Sequence, residues 1–132
     1  MNILVYTKKG EAVGERLQRV IATLAPRKET EIYQTIDSLS RRLHQPIHNF
    51  DIAILLAATR EELQDILSLR DLLSDVRSIL VLPDREGDTI AQGHTLSPRF
   101  VTYTDSDFVE LAAVLSKMLE NANLRKEDKK TR

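Results

Sequence analysis

Five short runs of apolar, β-forming residues, separated by stretches whose apolar residues recur at helical intervals, constrain this chain more than any other feature. The runs are Ile3-Leu4-Val5-Tyr6, Ile32-Tyr33, Ile52 to Leu56, Ile79-Leu80-Val81-Leu82 and Phe100-Val101-Thr102-Tyr103. Near-continuous apolar strands alternating with amphipathic helices mark a parallel sheet buried on both faces, because each parallel crossover carries a helix that covers the sheet. Ile32-Tyr33 is the weakest run and is expected at a sheet edge. At 132 residues and 42% hydrophobic content, the alternation fits one domain around a single sizeable core. Right-handed crossovers then favour strand order 2-1-3-4-5 in a three-layer, doubly wound α/β fold.

Between the runs, Val13, Leu17, Val20, Ile21 and Leu24 share one helical face and predict a first helix that ends near Pro26. Ile36, Leu39 and Leu43 predict a shorter second helix. The third is expected to start at Thr59 as a capping box: the hydroxyl accepts from the Glu62 N–H, Glu62 reaches back, and Leu63, Ile66, Leu67 and Leu73 form its buried stripe. Phe108, Leu111, Ala112, Leu115 and Leu119 predict the last helix, entered through Asp107 with Glu110 completing a second capping box. Between Asp84 and Pro98 the period is broken by Gly87, Gly93 and Pro98, leaving at most about one turn at Thr89 to Gln92. The domain is expected to close at residue 120. Residues 121–132, NANLRKEDKKTR, carry +3 and read as a frayed helix end and a charged, disordered tail.

The balance of 19 basic and 20 acidic residues, a net charge of −1, excludes a strong general attraction to nucleic acid or to an anionic membrane. With no cysteine, disulfides, thiolate metal sites and cysteine nucleophiles are excluded. The chain enters its first strand without a charged leader or long apolar segment, which points to a cytoplasmic protein with no membrane span.

The strands carry short matches to a known pattern: "NILVYT" as the first, "FDIAILLAA" as the third and "SILVLPD" as the fourth. With the element order, they make residues 1–120 resemble a response-regulator receiver domain, of flavodoxin-like fold. The resemblance implies a phosphoacceptor aspartate ending the third strand and an Mg²⁺-holding acidic pair after the first. It also implies a Ser or Thr ending the fourth strand and a Lys followed by a cis-proline ending the fifth. The metal and the ammonium serve to neutralise a transferring phosphoryl group, and the carboxylate is the nucleophile. Laid on that pattern, Asp51 takes an early, non-reactive position and Ala57 stands where the nucleophile belongs. Thr7, Lys8 and Lys9 replace the metal-binding acids, Pro83 the hydroxyl, and Tyr103-Thr104-Asp105 the Lys-Pro pair. The resemblance is therefore to a degenerate pseudo-receiver, implying no phosphorylation, no metal and no cofactor.

The C-terminal edge of an open α/β sheet is nevertheless its usual binding crevice, here lined by Thr7, Lys8, Lys9, Thr59, Arg60, Asp84 and Asp105. Lys8, Lys9, Thr59 and Arg60 are candidate anion-binding residues at two helix starts. Gly10 and Gly14 spell no nucleotide-binding loop. His44 and His48 flank the helix-breaking Pro46, so a metal site is not expected there, and His94 reads as an ordinary loop residue. Tyr103, with Ile90, Val109 and Ala113, is the candidate interface. The expected function is a phosphorylation-independent, non-enzymatic signalling module that contacts a protein partner or a second copy of itself. The alternative is a sensor of a small anionic ligand at the sheet edge.

Overall fold

The computed structural model describes residues 2–46 and 50–130, with 122–130 described as backbone. Strands β1 (Ile3–Tyr6), β2 (Thr30–Tyr33), β3 (Ile52–Leu56), β4 (Ser78–Leu82) and β5 (Phe100–Tyr103) alternate with helices. The helices are α1 (Ala12–Ala22), α2 (Ile36–Leu43), α3 (Arg60–Leu67), α4 (Arg70–Leu73), α5 (Gly87–His94) and α6 (Val109–Lys130). The sheet has order β2-β1-β3-β4-β5 with every pairing parallel, as expected, and the fold is flavodoxin-like.

The two-residue period of a strand divides the core. Ile3, Val5, Ile52, Ile54, Leu56, Ile79 and Val81 face α1 and α6 with Leu17, Ile21, Leu111 and Leu115. Leu4, Tyr6, Ala53, Leu55, Leu80 and Leu82 face the other helices with Leu39, Leu43, Leu63 and Leu73. The three central strands are buried at every position, so apolar residues were required on both faces; β2 and β5 are half-buried edges, with Ile32 43% exposed. Each fully buried Leu or Ile contributes about 1.5–3 kcal/mol over its exposed state.

Three expectations are corrected. The single third helix is two, α3 and α4, because the Ser68 hydroxyl donates to the Asp65 carbonyl and Leu69 leaves helical geometry at φ −102, ψ 11. The segment expected to hold about one turn forms the eight-residue α5. Gly93, read from sequence as a breaker, is a packing device: a Cβ there would lie 3.0 Å from Leu80 Cδ2 and 3.1 Å from Leu82 Cδ2, so its absence lets α5 sit close on β4. The last helix starts at Val109 without the expected capping box. Phe108 takes a left-handed φ of 65, its N–H donates to Ser106 Oγ, and the Val109 N–H donates to Asp107 Oδ1. That backbone costs of order 1 kcal/mol or more for a non-glycine residue, offset here by complete burial of the Phe108 ring. The Arg16 guanidinium lies 4.8 Å from the centre of that ring and donates to the Thr104 and Ser106 carbonyls at 2.6 and 3.0 Å. Helical backbone runs on to Lys130, through the basic segment. Among the described residues, no helix is long and apolar enough to cross a membrane.

Candidate functional site

The C-terminal ends of β1, β3, β4 and β5 form one edge, and the backbone there is committed to the sheet. The N–H groups of Thr7, Ala57 and Thr104, each just past its strand, donate to the carbonyls of Tyr33, Val81 and Leu82 at 3.0, 2.9 and 3.0 Å. They extend the ladder by one residue, and those donors are not left to cradle an anion.

Ala57 is fully buried, its methyl packed in the core on the α2–α5 side. Asp51 lies at the opposite end of β3, where its carboxylate accepts from the Asn2 N–H at 2.9 Å and joins the starts of β1 and β3. Thr7 is buried and accepts from Gln18 Nε2 at 3.1 Å. Thr104 donates to the Pro83 carbonyl at 3.3 Å. Thr7, Ala57 and Thr104 therefore close the edge with short, apolar or internally bonded side chains, while Lys8 stays exposed beside them.

The candidate anion-binding residues do not converge. Thr59 caps α3, accepting from the Glu62 N–H at 3.2 Å. Arg60 points to the β4–α5 loop, where its Nε donates to Asp84 Oδ2 at 3.0 Å. Lys8 and Lys9 are exposed and line a pocket of about 280 Å³ at the start of α1, together with Thr7, Gly10, Glu11 and Gln18. Gly10 turns the chain into α1 with φ 87, and Glu11 occupies the N-cap without a side-chain capping bond.

Glu11 was not singled out by sequence, and Glu62 was read only as a capping residue. Glu62 was expected to reach back and complete the Thr59 capping box. Instead it is 2% exposed, and both of its carboxylate oxygens are buried without a donor. Its neighbour is the Glu11 carboxyl, whose Oε2 is likewise buried without a donor. Two carboxyls can hydrogen-bond each other only when one is protonated. Burial first, then the bond and the charge of Glu62, push Glu11 up to about 7, while Lys8 pulls it down. Tyr6, also 2% exposed, is pushed up to about 12 by burial and then by Glu62, Asp65 and Glu11. The only early signal for this pair was the position of Glu62, three residues after a capping threonine.

Over β4 and β5 the edge is different. Arg85 lies 4.2 Å from the Tyr103 ring centre and donates to the Asp105 carboxylate, which holds Asp105 below the usual carboxylate range. Tyr103 and Ile90 are half-buried against the α2–α5 core. Val109 is 65% exposed and Ala113 is exposed, both on α6. His44 is exposed at the C-cap of α2 and meets the Ser40 carbonyl at 2.7 Å; His48 lies outside the described residues. Among the described residues no group of three or more His, Cys, Asp or Glu side chains is placed to hold a metal ion.

No protein-family model and no curated protein matches the chain. Among solved structures it is similar to a "Putative pilus assembly-related protein" from Burkholderia pseudomallei, with a TM-score of 0.59 and 20% identity over 92% of this chain and 88% of that one. At that identity the likeness concerns the fold, and it agrees with the five-stranded parallel architecture.

Proposed function

We propose that this chain is a pseudo-receiver: a cytoplasmic, non-enzymatic module that keeps the receiver scaffold and acts by protein–protein contact without phosphorylation. The observation that carries the reading is the end of β3, where the buried Ala57 methyl replaces a nucleophile while Thr7 and Thr104 are bonded within the protein. The solved Burkholderia protein's description as pilus assembly-related is compatible with a part in assembling or regulating a larger protein complex. The proposed contact surface lies around edge strand β5, where Val109 is exposed and Tyr103 lies under Arg85. An exposed valine gains by being covered. The partner is another protein of a signalling pathway or a second copy of the chain, with neither nucleic acid nor membrane involved.

Addition of Mg²⁺ and beryllofluoride, a phosphoryl mimic, tests the first part. Backbone resonances near Ala57 are expected not to move, and saturable shifts there would sink the pseudo-receiver reading. Native mass spectrometry of protein recovered gently from its host tests the second. A dimer or a stoichiometric partner that is lost in Val109→Asp supports the β5 surface.

A second reading has one observation in its favour, the pocket of about 280 Å³ lined by Lys8 and Lys9 beneath an N-cap that makes no side-chain bond. In this reading the protein senses a small anion, and Lys8→Glu abolishes binding while leaving partner capture intact. Glu11 in the same pocket and the Arg60–Asp84 pair outside it place this reading second.

A further inference from the structure

Folding buries a charge only when it finds a partner, since a buried carboxylate without a donor is costly. Glu62 departs from that rule: it is 2% exposed, on a helix start, with neither oxygen receiving a hydrogen bond. The group it meets is another carboxyl, from the start of α1. A divalent cation is disfavoured as the missing partner, because the pair lacks a third acidic ligand among the described residues and Lys8 and Lys9 stand beside Glu11. A proton needs no further ligands. One proton shared by two carboxyls satisfies an oxygen on each side and removes one of two like charges.

We propose that Glu11 and Glu62 form a one-proton clasp that ties the start of α1 to the start of α3, and that loss of this proton loosens the junction, making the edge of the fold sensitive to pH. Lys8 from the β1–α1 loop acts on Glu11, and Tyr6 from β1 is acted on by Glu62, by Asp65 of α3 and by Glu11. Lys8 is the cation that acts on Glu11, and it opposes the rise. The direction follows from linkage. Glu11 holds its proton in the folded protein up to about 7, above its ordinary 4.5. Between those values the folded state binds more protons than the unfolded chain, so stability falls as pH rises through that window.

The test is the denaturant midpoint of the full chain from about pH 5.5 to about 8.5 in chelator-containing buffer, for the wild type, Glu11→Gln and Glu62→Gln. The wild type is expected to lose stability as pH rises through about 7, and both variants are expected to flatten the profile. Side-chain carboxyl ¹³C NMR of the unmodified protein should show one of the two glutamates titrating far above the other. A flat wild-type profile, an unchanged slope in Glu62→Gln, or two ordinary glutamate titrations would each overturn the clasp. Recovery of stability at high pH on adding Mg²⁺ would overturn it as well, by assigning the pair to a metal.

Discussion

Over β1 and β3, the sheet edge buries Glu62 against Glu11 with no donor for either Glu62 oxygen, whereas over β4 and β5 its charged groups, Arg60 with Asp84 and Arg85 with Asp105, meet in solvent. Charge on the first half is governed by protonation, because two like groups in a closed space share a proton more readily than they separate. Charge on the second half is governed by pairing in water, where salt screens the attraction and side-chain freedom opposes it. One edge of one sheet thus contains a buried half sensitive to pH and an exposed half sensitive to salt.

The largest effect is expected at Ala57. Ala57→Asp puts an aspartate where a receiver carries its nucleophile, and places a third carboxyl at a fully buried position on the half already holding Glu62. A loss of about 3–5 kcal/mol in chemical unfolding is expected, the range for an uncompensated buried charge, with no gain of phosphoryl transfer. A stable variant would mean that the first half accommodates charge as easily as the second.

Next in size is Glu62→Gln measured near pH 8, where the amide can donate to the ionised Glu11. It should stabilise the fold by about 1–3 kcal/mol, the cost otherwise carried by a buried group without a partner. Glu31 is a control of opposite sign. Its bond from Arg42 lowers its carboxyl, so its contribution is present above the ordinary 4.5 and lost as pH falls below it, outside the window of the clasp.

Gly93→Ala sharpens the packing side of the second half. The added methyl meets Leu80 Cδ2 at 3.0 Å, a strain of about 1–3 kcal/mol, while alanine returns about 1 kcal/mol of helix propensity. A net loss of about 1 kcal/mol in thermal unfolding is expected, and a gain would show that α5 shifts freely on β4. The smallest effect belongs to Arg85→Ala, which should leave the melting temperature unchanged and expose the Tyr103 ring to added quencher.

The strands were legible because burial on both faces leaves no choice of residue type: Ile52 to Leu56 and Ser78 to Leu82 are covered everywhere, and all but Ser78 are apolar. The edges were legible for the converse reason. Gly93 misled because a missing side chain reads equally as a broken helix and as a close approach, and only Leu80 and Leu82 decide between them. Thr59 was correctly placed as a cap, yet the direction of the Glu62 carboxyl depends on Glu11, which another element supplies. Arg60 was grouped with the lysines because all three sit at helix starts; Asp84, beyond β4, draws it away. Periodicity records which face of an element is buried, and these side chains were directed by partners that periodicity does not encode.

Arg16 also has a consequence for the order in which the molecule can be completed. It lies on α1, but the Thr104 and Ser106 carbonyls that receive its guanidinium are 88 and 90 residues further along, and Phe108 beneath it is later still. On a ribosome adding about 5–20 residues per second, Arg16 waits about 5–20 s for those partners to be made. The first helix of the chain is fastened by nearly the last residues of the domain to emerge, so a nascent chain stopped before β5 carries α1 without its lock.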